Sequence, residues 1–145
     1  MPFVYLAVIA LAYIGDRLVK NWAAGALVTE HGGSLPLIDG VFHFTYCENR
    51  GAAFSMLQGK QGLLITITVL ISLAAVYFLF FSRRKLPVFP SIAIALALGG
   101  ALGNLYDRVV LGYVIDMLDF CLIHFAVFNV ADACVNIGIV LLAIW

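Results

Sequence analysis

Four apolar stretches, roughly 3–28, 63–81, 88–106 and 127–145, each approach or exceed the ~20 helical residues needed to cross a hydrocarbon core of about 30 Å. That feature puts the chain in a bilayer, where helices satisfy their own backbone hydrogen bonds and irregular backbone is confined to the surfaces. Composition agrees: 64% of the 145 residues are hydrophobic and 11% charged, with a mean hydropathy of +1.08. Soluble domains carry about 25% charge. Eight basic and eight acidic side chains cancel, so there is no positive field for nucleic acid. The spans leave no room for a soluble domain, and residues 1–145 are expected to form one membrane-embedded unit. The first stretch has no Lys or Arg ahead of it and runs uncharged to Asp16, which reads as a retained span and not as a signal peptide.

Arg83, Arg84 and Lys85 are the only basic cluster and follow the second stretch directly. Positive charge is held on the cytoplasmic side, so both termini are expected inside and the segments 29–62 and 107–126 outside. Arg50 and Lys60 fall on the outer side but are dispersed among Glu30, Asp39 and Glu48. Within the outer segment 35–58, Val41 to Tyr46 is β-branched and aromatic, and Gly40 and Gly51 punctuate it. The expected fold class is an all-α membrane protein of four transmembrane helices with a small extracytoplasmic β-sheet at the membrane interface. No internal repeat is visible.

Ionisable residues are expensive in hydrocarbon, so each one in or beside a span is a functional candidate. Asp16, Lys20, Asp107, Arg108, Asp116, Asp119 and Asp132 all map toward the outer ends of their spans, which gathers polar chemistry in the outer leaflet. Asp16 and Lys20 are spaced i, i+4 with the acid first, the favourable order for an ion pair that neutralises itself. Asn129, Asp132 and Asn136 share a helical face, and Asn129 with Asp132 also fits an N-cap; one aspartate can serve both purposes. Gly99 and Gly103 make a small-residue face for close helix contact. Asn104, Asp107 and Arg108, at i, i+3 and i+4, suit a structural network at the outer mouth of the bundle. Asp116 sits in the apolar run 112–120, a short helix or strand, where desolvation should raise its pKa; Asp119 reads as a solvated loop carboxylate. Cys47, Cys121 and Cys134 show no CxxC, and His31, His43 and His124 no HExxH, so no metal site is indicated. Cys47 and Cys121 share the outer side, yet nothing in their spacing asks for a disulfide.

Taken together, Asp16-x-x-x-Lys20, Asn49-Arg50-Gly51-Ala52-Ala53-Phe54-Ser55, Gly100-Ala101-Leu102-Gly103-Asn104-x-x-Asp107-Arg108, Gly112-x-Val114-Ile115-Asp116 and Phe128-Asn129-x-Ala131-Asp132 resemble the lipoprotein signal peptidase (signal peptidase II) family of bacterial inner-membrane aspartyl proteases. The five motifs run in family order over nearly the whole chain. The resemblance implies that Asp116 and Asp132 are the catalytic pair. It implies that Asn49, Gly51, Asn104, Asp107, Arg108 and Asn129 order the site and its substrate. That substrate would be a prolipoprotein whose cysteine carries diacylglycerol, cut just before that cysteine by a monomer among membrane lipids, without a cofactor. Met117 departs from the family's usual Phe, and the sequence stops at Trp145 where relatives add a basic tail.

Peptide hydrolysis by two carboxylates needs one ionised, to take a proton from water, and one protonated, to polarise the scissile carbonyl; a close pair shares one proton for that reason. Asn49 to Ser55 reads as a flap hinged at Gly51 or as a tight turn closing the sheet. A proton-coupled carrier is the rival reading, but it wants polar residues through the membrane's depth, and the inner halves of spans two to four are almost pure hydrocarbon. A non-catalytic assembly factor leaves the two aspartates without purpose. Neither the GxGD nor the GxSG pattern of other intramembrane proteases is present.

Overall fold

The computed structural model describes residues 2–51, 59–82 and 86–145. The basic cluster Arg83 to Lys85 and the Ala52 to Ser55 part of the expected flap lie outside the described residues. Three helices are long and apolar enough to cross a membrane: α1, Pro2–His31; α2, Gln61–Phe81; and α3, Val88–Val110. A shorter apolar helix, α4, spans Val130–Ile144. Among the described residues, three apolar helices thus meet the length of a full span and a fourth is shorter. Their outer surfaces are oily: Phe3, Leu11, Leu70, Phe81 and Ile144 are each more than 60% exposed, an arrangement that water would penalise and lipid favours.

α3 is the most buried of the three long helices, packed between α1 and α4. Small residues permit it. A Cβ on Gly99 would fall 2.6 Å from that of Ala12, and one on Gly103 would fall 2.5 Å from Asp16 Oδ2, so both expected glycines face α1. Gly138 presents the same closeness from α4 to Ala97 of α3. Tyr5, Leu79, Ala95 and Leu98 form the core where α1, α2 and α3 meet.

At the C-terminal end of α1 the chain makes an antiparallel sheet in the order β1-β2-β3, from Ser34–Ile38, Phe42–Asn49 and Val114–Asp119. The expected sheet thus gains a third strand from the 112–120 run, and the helix alternative for that run falls away. An apolar stretch broken by aspartates three apart fits either periodicity; pairing to β2 decides it. Asp119 ends that strand and accepts from Thr45 Oγ1 at 2.9 Å, so it is a ladder residue, not the loop carboxylate expected. The sheet packs on the C-terminal end of α1, where Ala23, Leu27, Ile115 and Met117 form a second core. Met117 is fully buried there, worth about 1.5–3 kcal/mol by the usual transfer scale.

Helix bounds differ from the sequence expectation at four places. α1 continues through a π-helical turn, Ala23–Leu27, to His31 before Gly32 turns left-handed. α2 starts at Gln61, two residues early. α3 runs on to Val110, because Asp107 and Arg108 find partners instead of ending the span. α4 starts at Val130, three residues late, because Phe128 pairs across to Leu118 and Asn129 is extended as the cap.

Candidate active site

Asp116 is carried by β3 and is 1% exposed; Asp132 stands in the first turn of α4. The two approach through asparagines. The Asn129 amide donates to Asp116 Oδ1 at 2.6 Å, to Asn104 Oδ1 at 3.1 Å and to the Ile115 carbonyl at 3.3 Å. The Asn104 amide in turn donates to Asp132 Oδ1 at 2.7 Å. On the far side, the Asn49 amide donates to Asp116 Oδ2 at 3.1 Å. Asn129 also caps α4: its Oδ1 accepts from the Asp132 N–H at 2.8 Å, and its own N–H donates to Asp132 Oδ2 at 3.3 Å. The cap and the contacts around the pair are one arrangement, the double use that the sequence allows.

Behind this pair lies a charge cluster. Lys20 Nζ meets Asp16 Oδ2 at 2.9 Å, Asp107 Oδ2 at 2.8 Å and Asn104 Oδ1 at 2.8 Å, three acceptors for the three protons of an ammonium. Asp16, Lys20 and Asp107 are wholly buried. Arg17 closes the cluster by pairing with Asp107 Oδ1 while its guanidinium lies 4.7 Å over the Tyr106 ring. Two acids and two bases sum to zero, as burial requires. Each of the two acids also holds backbone: Asp16 Oδ1 accepts the Ala131 N–H at 2.9 Å and Asp107 Oδ2 the Ile115 N–H at 3.2 Å. Those residues immediately precede Asp132 and Asp116. The Asp16–Lys20 pair is thus wider than a self-contained ion pair: Asp16 fixes the chain next to Asp132, and Asp107, its partner through Lys20, fixes the chain next to Asp116. Sequence reasoning missed Arg17, which sits one residue round the helix from Asp16; a third charge in an apolar span was the available signal.

Arg108 points away from its neighbour Asp107. It donates to the Gly51 carbonyl at 3.3 Å and lines a cavity of about 480 Å³ between α2, α3 and α4. Thr68, Ser72 and Leu98 line its length and Asn104 and Asp132 its polar end, so an apolar trough runs to Asp132. At the base of the expected flap, the Gly51 N–H closes a turn on Asn49 Oδ1 at 2.9 Å. Asn136 enters none of the contacts around the pair.

Burial pushes the Asp116 carboxyl up to about 7, the Asp132 charge adds to the rise, and hydrogen bonds from Asn49 and Asn129 with the charge of Lys20 oppose it. A carboxylate that keeps its proton near neutrality beside a second one is the arrangement acid–base hydrolysis needs. Cys47 lies directly across the ladder from Asp116; burial first, then the Asp116 charge, pushes its thiol up. Cys47, Cys121 and Cys134 are all free, so the Cys47–Cys121 disulfide is not formed.

Apolar helices around a linked aspartate pair, with Asp132 at one end of an apolar trough, describe a membrane-embedded peptidase of the aspartyl type. The family model for "Signal peptidase (SPase) II" matches residues 8–145. A lipoprotein signal peptidase of Clostridioides difficile (strain 630) is 43% identical over 141 residues, covering 97% of this chain and 93% of that one. One from Nostoc punctiforme is 45% identical over 134 residues, 92% and 83% of the two chains. A bacterial membrane enzyme solved by the in meso method superposes with a TM-score of 0.87 at 34% identity, over 97% of this chain and 85% of that one. The chain belongs to the signal peptidase II family.

Proposed function

We propose that this protein removes the signal peptide from prolipoproteins carrying a diacylglyceryl-cysteine, cutting just before that cysteine, with Asp116 and Asp132 as the reacting pair. The observation that carries this reading is that Asp116 and Asp132, from two separate elements, are linked through Asn129 and Asn104, with Asp132 at the polar end of an apolar trough. One carboxylate takes a proton from water; the other, protonated, polarises the scissile carbonyl. The signal helix lies along the trough between α2 and α4, the acyl chains stay among lipid tails, and Arg108 and Asn49 hold the peptide over the pair. Asn104, Asp107 and Asn129 order the aspartates, and the Asp16–Lys20 pair braces them. The enzyme works as a monomer in the bacterial inner membrane, both termini cytoplasmic and the site toward the outer leaflet.

Purified protein should shorten a diacylated precursor and leave the same precursor without its diacylglyceryl group intact, because acyl contacts supply much of the binding energy used in the transition state. Equal cleavage of both would leave a general membrane protease instead. For orientation, a cysteine introduced at position 84 should label only from the cytoplasmic side and one at position 33 only from outside; the opposite pattern removes the outer-leaflet assignment.

The pH dependence follows from Asp116. Its proton is held up to about pH 7 and lost above, so turnover should fall on the alkaline side with an apparent pKa of the pair near 7. Asn49 favours the ionised form, so Asn49→Ala should move that limb to higher pH while slowing turnover about 10- to 100-fold, at ~1.4 kcal/mol per decade. A limb that stays in place would separate Asn49 from the reacting proton.

A further inference from the structure

We infer that Gln61 is a positioning residue for this reaction, acting through Asn49 and Gly51 and not on the substrate. The inference rests on the reading of Asn49 and Asp116 given above. Gln61 is the first residue of α2, beyond every motif that marks the site in the sequence. Its side-chain amide donates to the Arg50 carbonyl at 3.2 Å and to the Gly112 carbonyl at 2.9 Å. Those two carbonyls belong to the two chains that bring Asn49 and Asp116 together. Asn49 and Val114 are the last paired rung of β2 and β3; Arg50 follows one strand and Gly112 precedes the other. Gln61 therefore stands where the next rung would be and clips the strand ends with a side chain in place of a backbone bond.

The clip has consequences in both directions. Toward the site, it fixes Arg50 between Asn49, whose amide reaches Asp116, and Gly51, whose carbonyl takes the Arg108 guanidinium at the cavity. Toward the membrane, it ties the outer end of α2, one wall of the trough, to the sheet. Gly112 is itself pinned: its φ is +80° and its N–H donates to the Asp107 carbonyl at 3.2 Å, so it is a firm anchor for the amide. A donor pair on a rigid turn sets the register of Asn49 against Asp116 at the open end of the ladder, where no further strand bond would.

The test uses the full-length protein and the lipidated precursor. Gln61→Met keeps the volume and loses both donors; Gln61→Glu keeps the shape and turns oxygens toward the two carbonyls, and gives an independent variant should the first not fold. Both should lower kcat/KM about tenfold, the scale expected from a small misplacement of reacting groups, with melting temperature nearly unchanged. The alkaline limb should move up, in the same direction as for Asn49→Ala. Gln61→Lys, which restores N–H donors at that reach, should recover most of the loss. Combined with Asn49→Ala, Gln61→Met should add almost nothing. Wild-type turnover in Gln61→Met, or losses that multiply with those of Asn49→Ala, would overturn the assignment. Failure of the wild-type protein to cut the precursor would instead strike the functional reading on which the inference rests.

Discussion

Asp116→Asn and Asp132→Asn should each lower turnover of the lipidated precursor by about 10³-fold or more, since each removes one partner of a two-carboxylate acid–base step. The fold should survive both. In Asp132→Asn the new side chain keeps an oxygen for the Asn129 N–H, so the cap on α4 persists, and loss of a cap altogether costs only about 0.5–2 kcal/mol. Asp116→Asn loses one acceptor, for Asn49 or for Asn129, but its stability should fall less than that of the wild type as pH rises. The folded state holds the Asp116 proton up to about 7 against an ordinary value of 3.8, so the carboxyl's contribution to stability is lost as pH rises across that window. A neutral amide never ionises and escapes that penalty. The paired measurement is a cleavage time course beside thermal unfolding in detergent at pH 8; more than a tenth of wild-type turnover in either variant would refute the pair.

The largest expected effect on stability falls on Lys20→Met. The ammonium is wholly buried and meets Asp16, Asp107 and Asn104. Without it Asp16 and Asp107 share Arg17 alone, leaving an uncompensated buried charge, which costs about 3–5 kcal/mol. Removing a second charge should repair much of that: Lys20→Met with Asp16→Asn leaves Arg17 and Asp107 balanced. Thermal unfolding of the single and double variants decides it, and a single variant within about 1 kcal/mol of wild type would mean that the cluster carries little of the fold's stability.

Much of this architecture was legible in the chain. The long apolar runs announce helices because lipid allows few alternatives, and the residues that break those runs with charge are largely the ones found around the aspartate pair. What the sequence withheld is long-range. Lys20 to Asn104 spans 84 residues and Asp16 to Ala131 spans 115, and no periodicity encodes either. The helix-or-strand ambiguity at 114–119 and the late start of α4 have one origin: Phe128 looks like the head of an apolar span, but it pairs with Leu118 of a strand the sequence did not settle. Gln61 escaped notice because a single amide at a helix start has no pattern, and its meaning lies in two carbonyls contributed by distant turns.

The neutral cluster behind the aspartates also bears on how the protein is made. Asp16, Arg17 and Lys20 enter the bilayer on α1 with a surplus positive charge, and the carboxylate that cancels it, Asp107, arrives only with α3. Asp16 meanwhile holds a backbone N–H of α4, the last helix to emerge. Until the later helices dock, α1 is a poorly matched guest in the membrane, and the lateral search for its counter-ion draws the bundle shut. The backbone beside Asp116 and Asp132 is therefore held in place only once α1, α3 and α4 have come together.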